Sequence, residues 1–459
     1  MKRPGIRGQG TVMELKNKNI LVVGLGVTGV ATARFLMNRG ASVTVTDQKK
    51  EQEIGCEEQL IREPGIRMEL GQHRIETFEG ADLIVVSPGV PHTIPPITRA
   101  KEKGVPVIGE VELASRFITD PIVAVTGTNG KTTTTTLLGK MLEDSGLKVF
   151  VGGNIGNPLI AYVDGEGKAE VVVIEVSSFQ LDTVDTFRAN VAVLLNITED
   201  HMDRYSDLDA YTKSKARIFK NQQYNDTAVL NGSDPVVRSL SRDILSRTVF
   251  FSSKEEKGVA ISDESIISQE NMSQLLADFR LPGKHNAENA AAASLAALAV
   301  GGTFEGVRSA LRKFKGLSHR LEYIDTLNGV DFFDDSKATN VDSVARALET
   351  FERPVVLIMG GRNKGSKFHA LRDLIDRHTK ELIVIGEAKE DIKSELGDIK
   401  RVETATTMED AVFKAYNAAK PGNIVLLSPA CASFDMYNSY AQRGEDFCRT
   451  VAKLVTVNR

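Results

Sequence analysis

The chain has 459 residues, 41% hydrophobic and 26% charged, which is the balance of a soluble globular protein of about three domains. A net charge of −4 leaves no broad basic surface to recruit nucleic acid or anionic lipid. Three cysteines (Cys56, Cys431 and Cys448) are too few for a disulfide framework and suit a reducing cytoplasm, and no run is long and apolar enough to insert in a membrane.

Residues 1–10 are basic, and no signal-peptide core follows them; residues 1–12 precede the first strand and are expected to be dispensable or to reflect an upstream start. The first regular elements alternate strand and helix. Residues 19–23 read as a strand, 30–39 as a helix, 42–46 as a strand ending at Asp47, and 81–86 as a strand ending in Ser87-Pro88-Gly89. Such alternation predicts a parallel sheet with helices packed on it. Gly24, Gly26 and Gly29 in the first strand–helix turn, with Asp47 later, fit a dinucleotide fingerprint. Alone it is weak, because a bare G-x-G-x-x-G also serves as a tight turn. Asp47 suits a ribose or a base hydroxyl equally well.

A second section begins near Glu110. Its apolar strand 121–125 runs into Thr126-Gly127-Thr128-Asn129-Gly130-Lys131-Thr132-Thr133, and 134–142 reads as helix. A strand, a glycine turn, and Gly-Lys-Thr opening a helix make a phosphate-binding loop. Backbone N–H groups and the helix N-terminus attract phosphate oxygens. Lys131 would reach the terminal phosphates and Thr132 a Mg²⁺ ion. The usual first glycine of such loops is replaced by Val125. Further strands at 148–151, 171–176 and 191–195 each end in polar residues: Asn154, Glu175, and the run Thr198-Glu199-Asp200-His201-Met202-Asp203. In a doubly wound sheet these ends converge on the ligand. Glu175 is the metal-holding candidate, against the plainer reading of a salt-bridged strand end. His201 is a ligand-loop candidate, against a simple loop hydrogen-bonder. Residues 242–271 look less regular and are expected to be a surface excursion. Asn286 and Asn289 then share a face at the start of an alanine-rich helix, where they could also act as caps.

A third section starts near Leu317. Strands at 330–333, 355–359, 382–385 and 424–427 lead into polar loops, among them Asp334-Asp335-Ser336-Lys337-Ala338-Thr339-Asn340, Gly360-Gly361-Arg362-Asn363-Lys364-Gly365 and Ser428-Pro429-Ala430-Cys431-Ala432-Ser433. The expectation is α/β throughout, with three mostly parallel sheets and boundaries at 1–109, 110–316 and 317–459.

In order along the chain, the phosphate loop, Glu175-Val176-Ser177-Ser178-Phe179-Gln180-Leu181, the His201 run, Asn286 with Asn289, His319-Arg320, and the Asp335 and Ser428 segments resemble the Mur ligases. The likeness is strongest to the branch that adds D-glutamate. The resemblance implies an ATP- and Mg²⁺-dependent ligase that joins D-glutamate to UDP-N-acetylmuramoyl-L-alanine through an acyl phosphate. It implies a Rossmann-like first domain that holds the uridine nucleotide rather than NAD, a phosphate-loop ATPase in the centre, and a Rossmann-like third domain for the amino acid. By the same resemblance, Val27, Thr28, Asp47, Ser87, Pro88, Gly89, Asn154 and His201 would contact the uridine substrate. Gly127 to Thr133, Asn286, Asn289, Arg320 and Asp335 would position ATP. Thr132, Glu175 and His201 would serve the metal, as would Lys215 if carbamylated, although Lys213 lies close by. Thr339, Lys364, Ser433 and Tyr440 would meet D-glutamate. Arg362-Asn363 and Tyr440 depart from the pattern of that branch. The implied enzyme is a cytoplasmic monomer. An NAD-dependent oxidoreductase and a regulatory ATPase are the competing readings. The first leaves the phosphate loop and the third section without a role.

Overall fold

The computed structural model describes residues 13–54, 65–165, 168–202, 204–253, 259–261, 266–281 and 283–458. The expectations that fall on residues 1–12, Cys56 and Asp203, and on residues 254–258 and 262–265 of the stretch 242–271, lie outside this set.

Three sheets with helices packed on them form an α/β molecule, as expected. The first contains β1 (Asn19–Val23), β2 (Ser42–Asp47), β3 (Ile66–Leu70), β4 (Leu83–Val86) and β5 (Val107–Gly109). Their order is β3-β2-β1-β4-β5, and every pairing is parallel. Ile20, Leu21, Val22 and Val23 are all buried, as a strand covered on both faces requires. The chain leaves β1 toward opposite edges, so a crevice opens beyond the carboxyl ends of β1 and β4. The following helix begins at Val27, inside the glycine turn and three residues earlier than the sequence reading placed it.

The second sheet contains β6 (Ile122–Thr126), β7 (Val149–Gly153), β8 (Val171–Glu175), β9 (Val191–Leu194), β10 (Thr227–Asn231), β11 (Arg247–Ser253) and β12 (Val259–Ile261). Its order is β12-β11-β10-β9-β6-β8-β7. The chain goes from β6 to β7 and β8 on one flank, then to β9 on the other. The phosphate loop after β6 therefore sits at the switch point. The expectation of an irregular excursion over 242–271 is corrected here. β11 pairs in parallel with β10, β12 pairs antiparallel with β11, and Gln269–Ala277 is a helix. Val249 and Phe251 alternate into the core, a short period-2 signal that the polar residues around it obscured.

The third sheet contains β13 (Glu322–Leu327), β14 (Val330–Asp334), β15 (Val355–Gly360), β16 (Thr379–Ile385), β17 (Val402–Thr404) and β18 (Ile424–Leu427), in the order β13-β14-β18-β15-β16-β17. β13 and β14 form an antiparallel hairpin, and the other pairings are parallel. The hairpin turns at Asn328 and Gly329, both at positive φ, as a two-residue primed turn demands. β15 feeds both faces: Val355, Leu357 and Met359 pack into one core, Val356 and Ile358 into the other.

The chain forms two compact units. One holds the first two sheets. The other holds the third sheet together with Thr198–Leu208 and Arg280–Ala287. Within the first unit, the helix Glu110–Ser115 after β5 carries two buried carboxylates. Glu110 accepts the Ile160 N–H at 2.6 Å. Glu112 accepts the N–H groups of Asp185, Thr186 and Phe187, and an N–H from Arg116. Each carboxylate satisfies backbone donors that burial would otherwise leave unpaired.

Candidate active site

The phosphate loop folds as the sequence predicts. Gly130, at φ 85°, precedes the helix Lys131–Asp144, and no side chain caps that helix start. The first N–H groups of a helix have no intrahelical partner, so this end can receive an anion. A Cβ at Gly130 would collide with the Asn289 side chain, so both the φ and the close approach call for glycine. Asn196 fixes the loop from the β9 side, accepting from the Asn129 N–H at 2.8 Å and donating to its carbonyl at 3.1 Å. Lys131 folds back, with Nζ on the carbonyls of Gly127 (2.9 Å) and Thr128 (2.7 Å). Thr132 is half-buried and Thr133 buried on the first turn.

Glu175 closes β8 beside this loop. It is buried at 2% exposure, and Oε1 accepts from Asn154 Nδ2 at 2.8 Å. Oε2 is buried with no partner, an orphaned acceptor of the kind that a cation would satisfy. The salt-bridge reading of Glu175 therefore fails, and the residues present fit a divalent metal. Lys215 is 1% exposed, donates to the Gly127 carbonyl at 2.8 Å, and lies 4.5 Å from the centre of the Tyr211 ring. Its amine and that of Lys131 thus meet on one carbonyl. Lys213, two residues away, is exposed and paired with Asp209. Burial separates two lysines that the sequence could not tell apart.

At the first sheet, the Asp47 carboxylate accepts the N–H groups of Leu25 (2.6 Å) and Lys49 (2.8 Å). It therefore shapes the glycine turn, a role beyond the hydroxyl contact expected of it. Ser87 Oγ donates to the Gly24 carbonyl at 3.0 Å and ties the β4 end to the same turn. Val27 is 64% exposed at the helix start, and Gly89 is exposed beyond Pro88. Thr28 is half-buried, one residue into the helix.

In the second unit, the run containing His201 meets the loops of the third sheet. His201 has φ 59°, and its N–H reaches Asp200 Oδ1 at 2.9 Å. The Asp200 carboxylate also accepts from Asn340 Nδ2 at 3.2 Å and lies 3.7 Å from Lys364 Nζ. The structure thus draws together His201, Lys364 and the residue after Thr339. Asp200 joins them, although the sequence reading did not single it out. Its place between Glu199 and His201 in a quoted motif was the available signal. Asp335 is buried, accepting from Ser428 Oγ at 2.9 Å and from the Leu321 N–H at 3.2 Å. Burial pushes its carboxyl up to about 7, against those hydrogen bonds and the Arg320 charge. Ser433 is buried in the loop after β18. The face of the Tyr440 ring is taken by Lys337, whose Nζ lies 3.8 Å from its centre. Asn286 and Asn289 lie near the start of one helix, Lys284–Val300; Asn289 is buried and belongs to the first unit, and Asn286 is half-buried and belongs to the second.

Three family models match the chain: a Mur ligase MurD-like N-terminal domain over residues 18–109, the Mur ligase middle domain over 125–297, and the Mur ligase glutamate ligase domain over 319–431. The chain is 54% identical to the UDP-N-acetylmuramoylalanine–D-glutamate ligase of Desulfatibacillum aliphaticivorans, covering 96% of this chain and 100% of that one. It is 49% identical to the enzyme of the same name from Geotalea daltonii, over 96% and 99%. Its fold matches a pseudomurein peptide ligase type C of Methanothermus fervidus (TM-score 0.59, 21% identity, 95% and 100% covered). It also matches the MurF ligase of Thermotoga maritima in complex with ADP (TM-score 0.59, 18% identity, 98% and 99% covered). With half its residues shared along nearly the full length, and the phosphate loop and Glu175 inside the matched middle domain, the chain belongs to the Mur ligase family.

Proposed function

We propose that this chain is the ATP-dependent ligase that joins D-glutamate to UDP-N-acetylmuramoyl-L-alanine, releasing ADP and phosphate, in peptidoglycan precursor synthesis. The observation that carries the reading is the buried, unpartnered Glu175 Oε2 beside an uncapped phosphate-loop helix, in a chain so close to relatives of that name. A carboxylate is a poor acyl donor because oxide is a poor leaving group. Transfer of the γ-phosphoryl group onto the alanyl carboxylate creates an acyl phosphate. The D-glutamate amine attacks its carbonyl carbon, the C–O bond to phosphate breaks, and the amine proton is lost. Such phosphoryl transfer depends on positioning and charge neutralisation.

Lys131 is assigned to the transferring phosphoryl group, which requires Nζ to leave the carbonyls it now faces. Gly127 to Thr133 are assigned to the phosphates, and Asn286, Asn289, Arg320 and Asp335 to the rest of ATP. Thr132, Glu175 and His201, with Lys215 as a carbamate, would hold Mg²⁺. Bound there, the metal supplies charge neutralisation and orientation of the phosphates. Val27, Thr28, Asp47, Ser87, Pro88, Gly89, Asn154 and His201 are assigned to the uridine substrate. Thr339, Lys364, Ser433 and Tyr440 are assigned to D-glutamate. The proposed domains are 1–109, 110–316 and 317–459, in a monomeric cytoplasmic enzyme. No helix among the described residues is long and apolar enough to cross a membrane.

The test is phosphate release measured with a panel of D- and L-amino acids. Release should require ATP, Mg²⁺, the uridine-linked acceptor and D-glutamate together. Full-rate release with L-alanine and no D-glutamate would overturn the assignment.

A further inference from the structure

Among the described residues, one cluster of metal-ligating side chains has no part in the reaction above. Asp334 ends β14, fully buried, and its Oδ2 lies 2.6 Å from His319 Nδ1 and 3.4 Å from Cys448 Sγ. The three ligand atoms all lie within 4.8 Å of one another. Three elements converge there. His319 sits on a corner at φ 63°, Asp334 on a strand end, and Cys448 on the C-terminal helix Tyr440–Asn458. One turn before Cys448, on the same helix face, is Gly444. A Cβ at that position would overlap His319 Nδ1 and stand 2.7 Å from Asp334 Oδ2. Glycine thus lets the ring and the carboxylate settle against the helix surface. A helical side chain leans toward the N-terminus of its helix, so the Cys448 sulfur leans toward that spot. Asp334 is sealed in, His319 is 13% exposed and Cys448 is half-buried, which leaves approach from the cysteine side.

We propose that His319, Asp334 and Cys448 form a three-ligand site for a thiophilic divalent cation of the zinc class, with a water in the fourth position. One nitrogen, one oxygen and one sulfur suit Zn²⁺ or Co²⁺, whereas Mg²⁺ prefers oxygen alone. Metal–ligand bonds of about 2.0–2.3 Å place tetrahedral ligands roughly 3.2–3.7 Å apart. The sulfur–oxygen pair already has that separation, the nitrogen–oxygen pair must open, and the nitrogen–sulfur pair lies within 4.8 Å. Coordination balances by release of protons to solvent: the thiol loses its hydrogen, and His319 holds its remaining ring hydrogen on Nε2, freeing Nδ1.

The site also has a consequence that rests on the ligase reading. The other oxygen of Asp334 accepts the Ser336 N–H at 2.8 Å, and the His319 carbonyl accepts the Lys337 N–H at 3.1 Å. Arg320 and Asp335 lie on these same two segments. Drawing Nδ1 and Oδ2 onto a metal pulls the corner that carries them, so zinc should inhibit the use of ATP.

Cobalt titration of the full chain, with no nucleotide present, tests the site directly. A thiolate-to-cobalt charge-transfer band should appear with tetrahedral d–d absorption, and zinc should displace it. Cys448→Ala should abolish the band and weaken zinc binding by at least about tenfold, while Cys431→Ala keeps both. Zinc should inhibit phosphate release by the parent protein and lose that effect in Cys448→Ala. No band in the folded parent protein, or a band that persists in Cys448→Ala, overturns the site. The spectrum is read without turnover, so failure of the ligase assignment would leave this result standing, and the reverse also holds.

Discussion

Lys213 and Lys215 lie two residues apart on one helix, in different surroundings. In the structure Lys213 makes an exposed ion pair, the kind worth little energy, while Lys215 is buried on the phosphate-loop carbonyl. Burying a charged amine is costly, and here the Gly127 carbonyl and the Tyr211 ring offset part of that cost while tying Lys215 to the phosphate loop. Lys215→Ala should lower the rate at least ~10²-fold, the order seen when one charge-stabilising group is removed. If a carbamate is the working form, acetate should restore part of the rate by supplying the missing anionic oxygens. Lys213→Ala should be close to the parent. Equal losses in both variants would remove Lys215 from the site. Glu175 was legible as a candidate because it ends a strand, but its orphaned Oε2 is a fact of packing. Asp200 was not legible, because its partners Asn340 and Lys364 lie far along the chain and only the fold delivers them.

At the scale of elements, the strands flanked by glycine turns were readable, because a short, wholly apolar run bounded by turn residues has few other uses. β1, β6 and β18 are of this type. The half-covered strands β11, β12 and β13 were missed: their polar residues blur the alternation, and pairing with neighbours makes the final selection. The glycine turn after β1 separates two roles that the fingerprint merges. A Cβ at Gly29 would overlap the Gly24 carbonyl, whereas one at Gly26 meets nothing within 4 Å. Gly29→Ala should therefore force the backbone apart and lower the melting temperature, at a cost of roughly 1–3 kcal/mol. Gly26→Ala should keep the melting temperature and raise KM for the uridine substrate, since it fills space at the proposed nucleotide contact. Thermal melts and substrate titrations of both variants check this. A stable Gly29→Ala, or a Gly26→Ala with unchanged KM, contradicts it.

For the molecule as a whole, the class and the ordered motifs were readable from sequence, but the division into compact units was not. The His201 run and residues 280–287 fold with the third sheet although they interrupt the second section, and no local pattern announces that. Nor does pattern reveal Glu110. Burial pushes its carboxyl up to about 7, only partly offset by the N–H groups of Ile160 and Leu159. A carboxyl raised in the fold binds more protons folded than unfolded between about pH 4.5 and 7. Its contribution to stability is then complete below that window and lost as pH rises through it. Glu110→Gln should match the parent near pH 4.5 and become relatively more stable by pH 8, by up to ~3 kcal/mol. Denaturant unfolding at several pH values checks this, and parallel curves for the two proteins would contradict it.

The central claim is that ATP drives amide formation by phosphorylating the alanyl carboxylate. That chemistry requires one carboxylate oxygen to leave with the phosphate. The measurement is mass analysis of the phosphate released when the acceptor carries heavy oxygen in its alanyl carboxylate, with ATP, Mg²⁺ and D-glutamate present. Each phosphate should carry one heavy oxygen, matched by one D-glutamate joined to each acceptor. Unlabelled phosphate, or labelled phosphate with no D-glutamate product, would contradict it.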